Sequence, residues 1–225
     1  LSLHDALPIL EFNVSHQAGL VPLVASASPE VEVGIDVVCV NERSDDATIL
    51  KDGLFAWIDM HAEVFSRHEV HYMKYDAENL SLPIKIDAEG NSKDVIAKCQ
   101  RRDEQVFWTT SSGTLQELNA DVIIDAKLRR FYAFWCLREA YIKMTGEALL
   151  APWLGDLEFR KFKVPAANEE ASIDDSDLLL GETTSEFEIY FKGEHVENVT
   201  IELRALGRNY MVGTARSEER RVGKE

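Results

Sequence analysis

The alternation of apolar and polar positions divides this chain into recognisable elements. Two β-rich runs, 20–25 and 31–40, flank Ser26-Ala27-Ser28-Pro29, a turn signal, and together they predict a hairpin. In the second run Val31, Val33, Ile35 and Val37 share one face, which leaves Asp36 on the other. Over 52–66, Leu54, Phe55, Ile58, Ala62 and Phe65 recur at helical spacing. The strongest helical pattern runs over 120–146, with Ile123, Phe131, Phe134, Trp135 and Ile142 on a partly apolar stripe and Gly146 as the stop. Strands are expected at 157–164, 187–192, 199–203 and 210–214, with Gly193 and Gly207 at turns. The polar stretch 75–105 reads as a surface insertion with a short helix near 93–101, and the acidic stretch 166–186 as a mobile loop. Long helix and antiparallel strands in one chain imply the α+β class.

The two ends do not fit this pattern. The C-terminal ten residues, RSEERRVGKE, can be back-translated into DNA whose reverse complement, read two bases in, encodes LSLHDALPI, the first nine. Such DNA resembles a sequencing-library adapter read on both strands. Segments 1–9 and 216–225 are therefore expected to be non-native, which leaves one domain over 10–215, truncated at its N-terminus.

Composition narrows the function. The 225 residues are 45% hydrophobic, enough for a packed core. The net charge is −16, and the tails contribute −1 and +1, so the interior carries the same −16. That argues against nonspecific nucleic-acid binding, which needs a basic footprint. No apolar run is long enough to span a bilayer. Cys39, Cys99 and Cys136 lack metal-ligand spacing and read as reduced thiols of a cytoplasmic protein.

The candidate chemistry lies in three segments. Asp36 ends Gly34-Ile35-Asp36 on an apolar strand. Glu139 and Lys143 stand four apart on the long helix, sharing a face with Trp135. Phe131, Tyr132, Phe134, Tyr141 and Ile142 surround that pair, and charges on a buried helix need a matching ion or ligand. Two carboxylates and a lysine brought together would suit Mg2+ and a phosphate-bearing substrate. Ser15 and His16 offer a hydroxyl and an imidazole just before the first strand, with no Gly-x-Ser-x-Gly elbow beside them.

The order Phe-Asn-x-Ser-His-x-x-Gly (12–19), Gly-Ile-Asp (34–36), Phe-Ser-x-x-Glu (65–69) and Trp-x-x-Arg-Glu-x-x-x-Lys (135–143) resembles the larger, surfactin-synthetase-activating type of 4'-phosphopantetheinyl transferase. The resemblance covers most of 11–164, and the stretch 131–150 is similar to fungal members. It implies an antiparallel sheet packed on long helices, here mainly the second half of a pseudo-dimer. It also implies transfer of the phosphopantetheine arm of coenzyme A to a serine of an apo acyl or peptidyl carrier protein, with Mg2+ as cofactor. On this resemblance Asp36, Glu139 and Gln17 would hold the metal, and Glu139 would be the general base. Lys143 would bind the pyrophosphate and stabilise the leaving oxygen, and Ser15 and His16 would contact the phosphates of coenzyme A. Glu69 matches a family position without an assigned role. The chain departs from the pattern at Val38, where many members have a second acid, and at Arg138, where a lysine is usual. The resemblance implies a parent enzyme that acts as a monomer, and the truncation a fragment that is weakly active or inactive. A metal-dependent phosphohydrolase and a noncatalytic carrier-binding module are the competing readings.

Overall fold

The computed structural model describes residues 10–28, 30–42, 45–80, 82, 91–147, 151–172, 174 and 176–218. The chain begins with β1 (Glu11–Val14), β2 (Leu23–Ser26) and β3 (Val33–Cys39). Four short helices follow, α1 (Asp46–Asp52), α2 (Leu54–Met60), α3 (Arg67–Tyr75) and α4 (Ser92–Lys98), then the hairpin β4 (Gln105–Thr109) and β5 (Leu115–Asn119). The helix α5 (Ala120–Thr145) crosses the molecule. After it come β6 (Leu157–Arg160), β7 (Leu180–Thr184), β8 (Glu188–Phe191), β9 (Glu194–His195), β10 (Val199–Leu206) and β11 (Tyr210–Ser217). The mixture of helices and antiparallel strands bears out the α+β class.

The central sheet has the antiparallel order β3-β11-β10-β7, and α5 lies across β3, β11 and β10. Two glycines let helix and sheet approach. A Cβ on Gly34 would stand 2.1 Å from the Ala140 carbonyl oxygen and 2.4 Å from the Met144 nitrogen; one on Gly213 would stand 3.1 Å from Cys136. Any side chain at Gly34 would push α5 off β3. Asn119 caps α5 by accepting from the Asp121 N–H, and Gly146, at φ +71°, ends it as expected.

Several expectations are corrected. The hairpin expected between 20–25 and 31–40 does not form: β2 pairs with β1, and β3 pairs with β11 in register Asp36↔Gly213. All seven residues of β3 are buried, which requires cover on both faces and a long neighbour; β11 supplies eight residues, and β2 has only four. The helix expected over 52–66 is shorter: α2 starts only after Gly53, whose φ of +86° separates it from α1, and stops at Met60, followed by a 3-10 turn over Ala62–Val64. The stretch expected as a loop over 166–186 ends in β7. The short helix near 93–101 is α4, while Pro83 lies outside the described residues, as do 1–9 and 219–225.

The motif Phe-Ser-x-x-Glu proves to be a helix start. Ser66 Oγ accepts from the Glu69 N–H at 3.2 Å, and Glu69 Oε2 accepts from the Ser66 N–H at 2.8 Å, a capping box on α3.

Candidate functional site

Three elements converge on one open cavity of about 950 Å³. The loop after β1 contributes Ser15, His16 and Gln17; β3 contributes Asp36 and Val37; α5 contributes Trp135, Glu139 and Lys143, all on one stripe of the helix. The structure thus brings together all six residues singled out from the sequence. The loop after β3 adds Glu42 and Asp45, which the motifs did not indicate. Their only sequence signal is an acidic turn directly after the Asp36 strand and before a helix.

The local sequence explains the placement. The turn 17–20 closes with Ala18 at φ +48° and Gly19 at φ +79°, the signs a tight two-residue hairpin loop requires. Tyr210 Oη donates to the Ala18 carbonyl at 2.7 Å, tying this loop to the central sheet. The outer edge of β3 is served by side chains instead of a strand: Asn13 Oδ1 accepts from the Ile35 N–H and Ser15 Oγ from the Val37 N–H. Gln17 Nε2 reaches the Cys39 carbonyl at 3.5 Å.

At the centre, Lys143 Nζ donates to Asp36 Oδ1 at 2.8 Å and to Ser15 Oγ at 3.0 Å, and Ser15 Oγ donates to the same Asp36 oxygen at 2.9 Å. Asp36 is 6% exposed and Glu139 8%. Burial raises the Asp36 pKa above its ordinary value; Lys143, the Ser15 hydroxyl and the Val37 N–H oppose that rise without cancelling it. Beneath the site Cys136 is fully buried, which pushes its thiol well above its ordinary range. It therefore serves as core. Trp135 forms one wall and stacks on Phe131, with ring centroids 6.1 Å apart.

The donor set is hard, anionic and sparse. Among the described residues no group of three or more His, Cys, Asp or Glu side chains forms a metal cage. Asp36 and Glu139 facing one cavity still fit Mg2+, which binds through one or two carboxylates and takes its remaining ligands from water and phosphate.

No family model matches the chain. Over 211 residues, 92% of the chain, it is 44% identical to a 4'-phosphopantetheinyl transferase of Aureobasidium melanogenum, of which it covers 62%. The chain is thus similar over most of its length to a fungal protein of that name. It is 37% identical to 4'-phosphopantetheinyl transferase 1 of Fusarium mangiferae and 36% identical to 4'-phosphopantetheinyl transferase NpgA of Emericella nidulans; each match takes in 92% of the chain and 53% of the relative. The chain thus spans little more than half the length of these curated relatives. The kinship with phosphopantetheinyl transferases read from the four motifs is borne out. Among the described residues no helix is long and apolar enough to cross a membrane.

Proposed function

We propose that this chain carries the metal and phosphate site of a 4'-phosphopantetheinyl transferase, which moves the phosphopantetheine arm of coenzyme A to a serine of an apo carrier protein. The observation that carries the reading is the convergence of Asp36, Glu139 and Lys143 with Ser15, His16 and Gln17 on one cavity, in a relative of enzymes of that name. Charge supports it as well. Among the described residues the cavity is lined by four carboxylates, Asp36, Glu42, Asp45 and Glu139, and by one ammonium, Lys143. A polyanion is repelled by such a wall unless a divalent cation enters with it.

Asp36 and Glu139 would hold Mg2+, with Gln17 as a further oxygen donor. The ion would offset charge on the two phosphates. The acceptor serine oxygen attacks the β-phosphorus, the bond from that phosphorus to the bridging oxygen breaks, and 3',5'-ADP departs with the bridging oxygen. Glu139 takes the serine proton. Lys143 stabilises charge on the leaving ADP and grips the pyrophosphate. His16 contacts a phosphate of coenzyme A. Ser15, already bonded to Asp36 and Lys143, sets the distance between them and faces the phosphates from there. The partners are coenzyme A and acyl or peptidyl carrier proteins, the compartment the cytoplasm, and the working state a monomer.

The test is intact-mass measurement of an apo carrier protein incubated with excess chain, coenzyme A and Mg2+, beside Glu139→Ala and beside the Aureobasidium relative as positive control. The expected result is a phosphopantetheine mass gain that EDTA and Glu139→Ala abolish. A working control beside a chain that neither transfers the group nor binds coenzyme A in the presence of Mg2+ would sink the reading.

A further inference from the structure

The stripe of α5 next to the one that faces the cavity carries three buried cations, Lys127, Arg130 and Arg138, at 0, 0 and 3% exposure. Each grips a different neighbour. Lys127 Nζ donates to the Ala97 and Cys99 carbonyls at the end of α4, at 3.0 and 2.8 Å. Arg130 donates to the Tyr72 and Asp76 carbonyls at the end of α3, at 2.9 and 2.7 Å. Arg138 reaches the start of α3 and β6: its guanidinium donates to Glu69 Oε2 at 2.9 Å and to the Leu157 carbonyl at 2.5 Å. Its plane lies over the Phe65 ring at 4.7 Å.

Glu69 is itself fully buried and committed on three sides. It accepts from Arg138, from the Ser66 N–H and from the Phe159 N–H, the last at 2.9 Å through Oε1. A core needs no such arrangement for stability alone, since a buried ion pair stabilises little relative to an apolar pair of the same shape. What it gives is geometry: two planar, multiply bonded groups fix the rotation of α5 about its axis at Arg138, the residue next to Glu139.

We propose that Arg138, held by Glu69, is a positioning residue that sets the rotation of α5 and so aims Glu139 into the cavity. The inference rests on the reading of Glu139 as a metal-holding carboxylate. It also gives a role to the arginine found where the family usually has lysine. Both bonds leave from one guanidinium nitrogen, Nη2; a lysine ammonium could donate to the same acceptors but offers no flat face to lay over Phe65.

The test compares Arg138→Lys, Arg138→Met and the double variant Glu69→Gln with Arg138→Met in the full chain. The readouts are melting temperature and Mn2+ affinity by electron paramagnetic resonance, Mn2+ serving as probe of the hard oxygen site. Arg138→Met is expected to melt lowest, because it strands the Glu69 charge. The double variant should recover most of the melting temperature but keep a loss of about tenfold in Mn2+ affinity, the scale on which outer groups tune metal ligands. Arg138→Lys should fall between wild type and Arg138→Met in affinity. Affinity that returns with the melting temperature in the double variant would overturn the inference and leave the pair purely structural. A wild-type chain that binds no Mn2+ would instead overturn the reading of the site.

Discussion

The block formed by β3, β11, β10 and α5 and the hairpin β1–β2 are built by opposite rules. In the block, apolar faces meet: β3 is buried along its whole length, and α5 has 18 buried residues. In the hairpin, Phe12, Val14 and Leu23 face outward, with Phe12 and Leu23 59 and 62% exposed, while Asn13 turns inward to serve the edge of β3. The block is held by packing. The hairpin is held to it by a few polar contacts, the Tyr210–Ala18 bond and the packing of Ala18 and Leu20 on Val37, Cys39 and Tyr210, and a lone two-stranded hairpin is marginally stable in water. Asp36, Glu139 and Lys143 stand on the packed block, whereas Ser15, His16 and Gln17 stand on the lightly held hairpin. The candidate site therefore has a rigid half and a compliant half.

The largest expected effect tests the rigid half. Gly34→Ala places a Cβ 2.1 Å from the Ala140 carbonyl, backbone that cannot swing aside. It should cost about 3 kcal/mol or more in urea unfolding and separate Asp36 from Lys143. The matched control is Gly19→Ala in the hairpin turn, where φ is +79° and nothing lies within 4 Å. Only backbone strain acts there, about 1 kcal/mol. Equal losses at the two positions would break the contrast.

This contrast also shows what could be read from sequence. The extent of α5 and its stop at Gly146 were legible because cap, stripe and stop all agree locally. The six candidate residues could be picked out because resemblance supplied their order, and their convergence on one cavity follows from Gly34 and Gly213 admitting the helix. The pairing of β3 with β11 was not, because those strands lie more than 170 residues apart and local alternation carries no partner. The helix α1 before Gly53 was missed, because the apolar periodicity was read only from Leu54 onward. Glu42 and Asp45 were hidden because loop acids look alike until the fold aims them. Arg138 and Glu69 drew notice only as motif positions; their pairing across 69 residues appears in space alone.

A second prediction concerns the charge at the junction of the halves. Asp36→Asn keeps shape but removes the carboxylate that receives Lys143 and Ser15. On the proposed reading it should weaken Mn2+ binding by about tenfold or more, read by titration. Ser15→Ala, on the compliant side, should weaken it less, because Lys143 still reaches Asp36 directly.

Titration of Asp36 gives a third. Burial raises its folded pKa, so the native chain keeps this proton to higher pH than the unfolded chain does. The contribution to stability is present in full below the unfolded value of about 4 and is lost as pH rises through the folded value. The urea midpoint of wild type relative to Asp36→Asn should therefore decline over that interval. A difference that grows with rising pH would reverse the sign and show that Lys143 outweighs burial.

The smallest expected effect lies on the outer face of the hairpin. Phe12 and Leu23 are large, apolar and more than half exposed, so a polar replacement there removes little buried area. The double variant Phe12→Ser with Leu23→Ser should shift unfolding by within about 0.5 kcal/mol, as is usual at surface positions. Phe134→Ala inside the block, where the ring meets Tyr72 and Phe162, should cost about 3 kcal/mol or more. Urea midpoints of the two variants, measured on the same chain, decide the matter. A hairpin variant that unfolds as readily as Phe134→Ala would mean that its outer face is covered in solution, and the two regions would then follow the same rule.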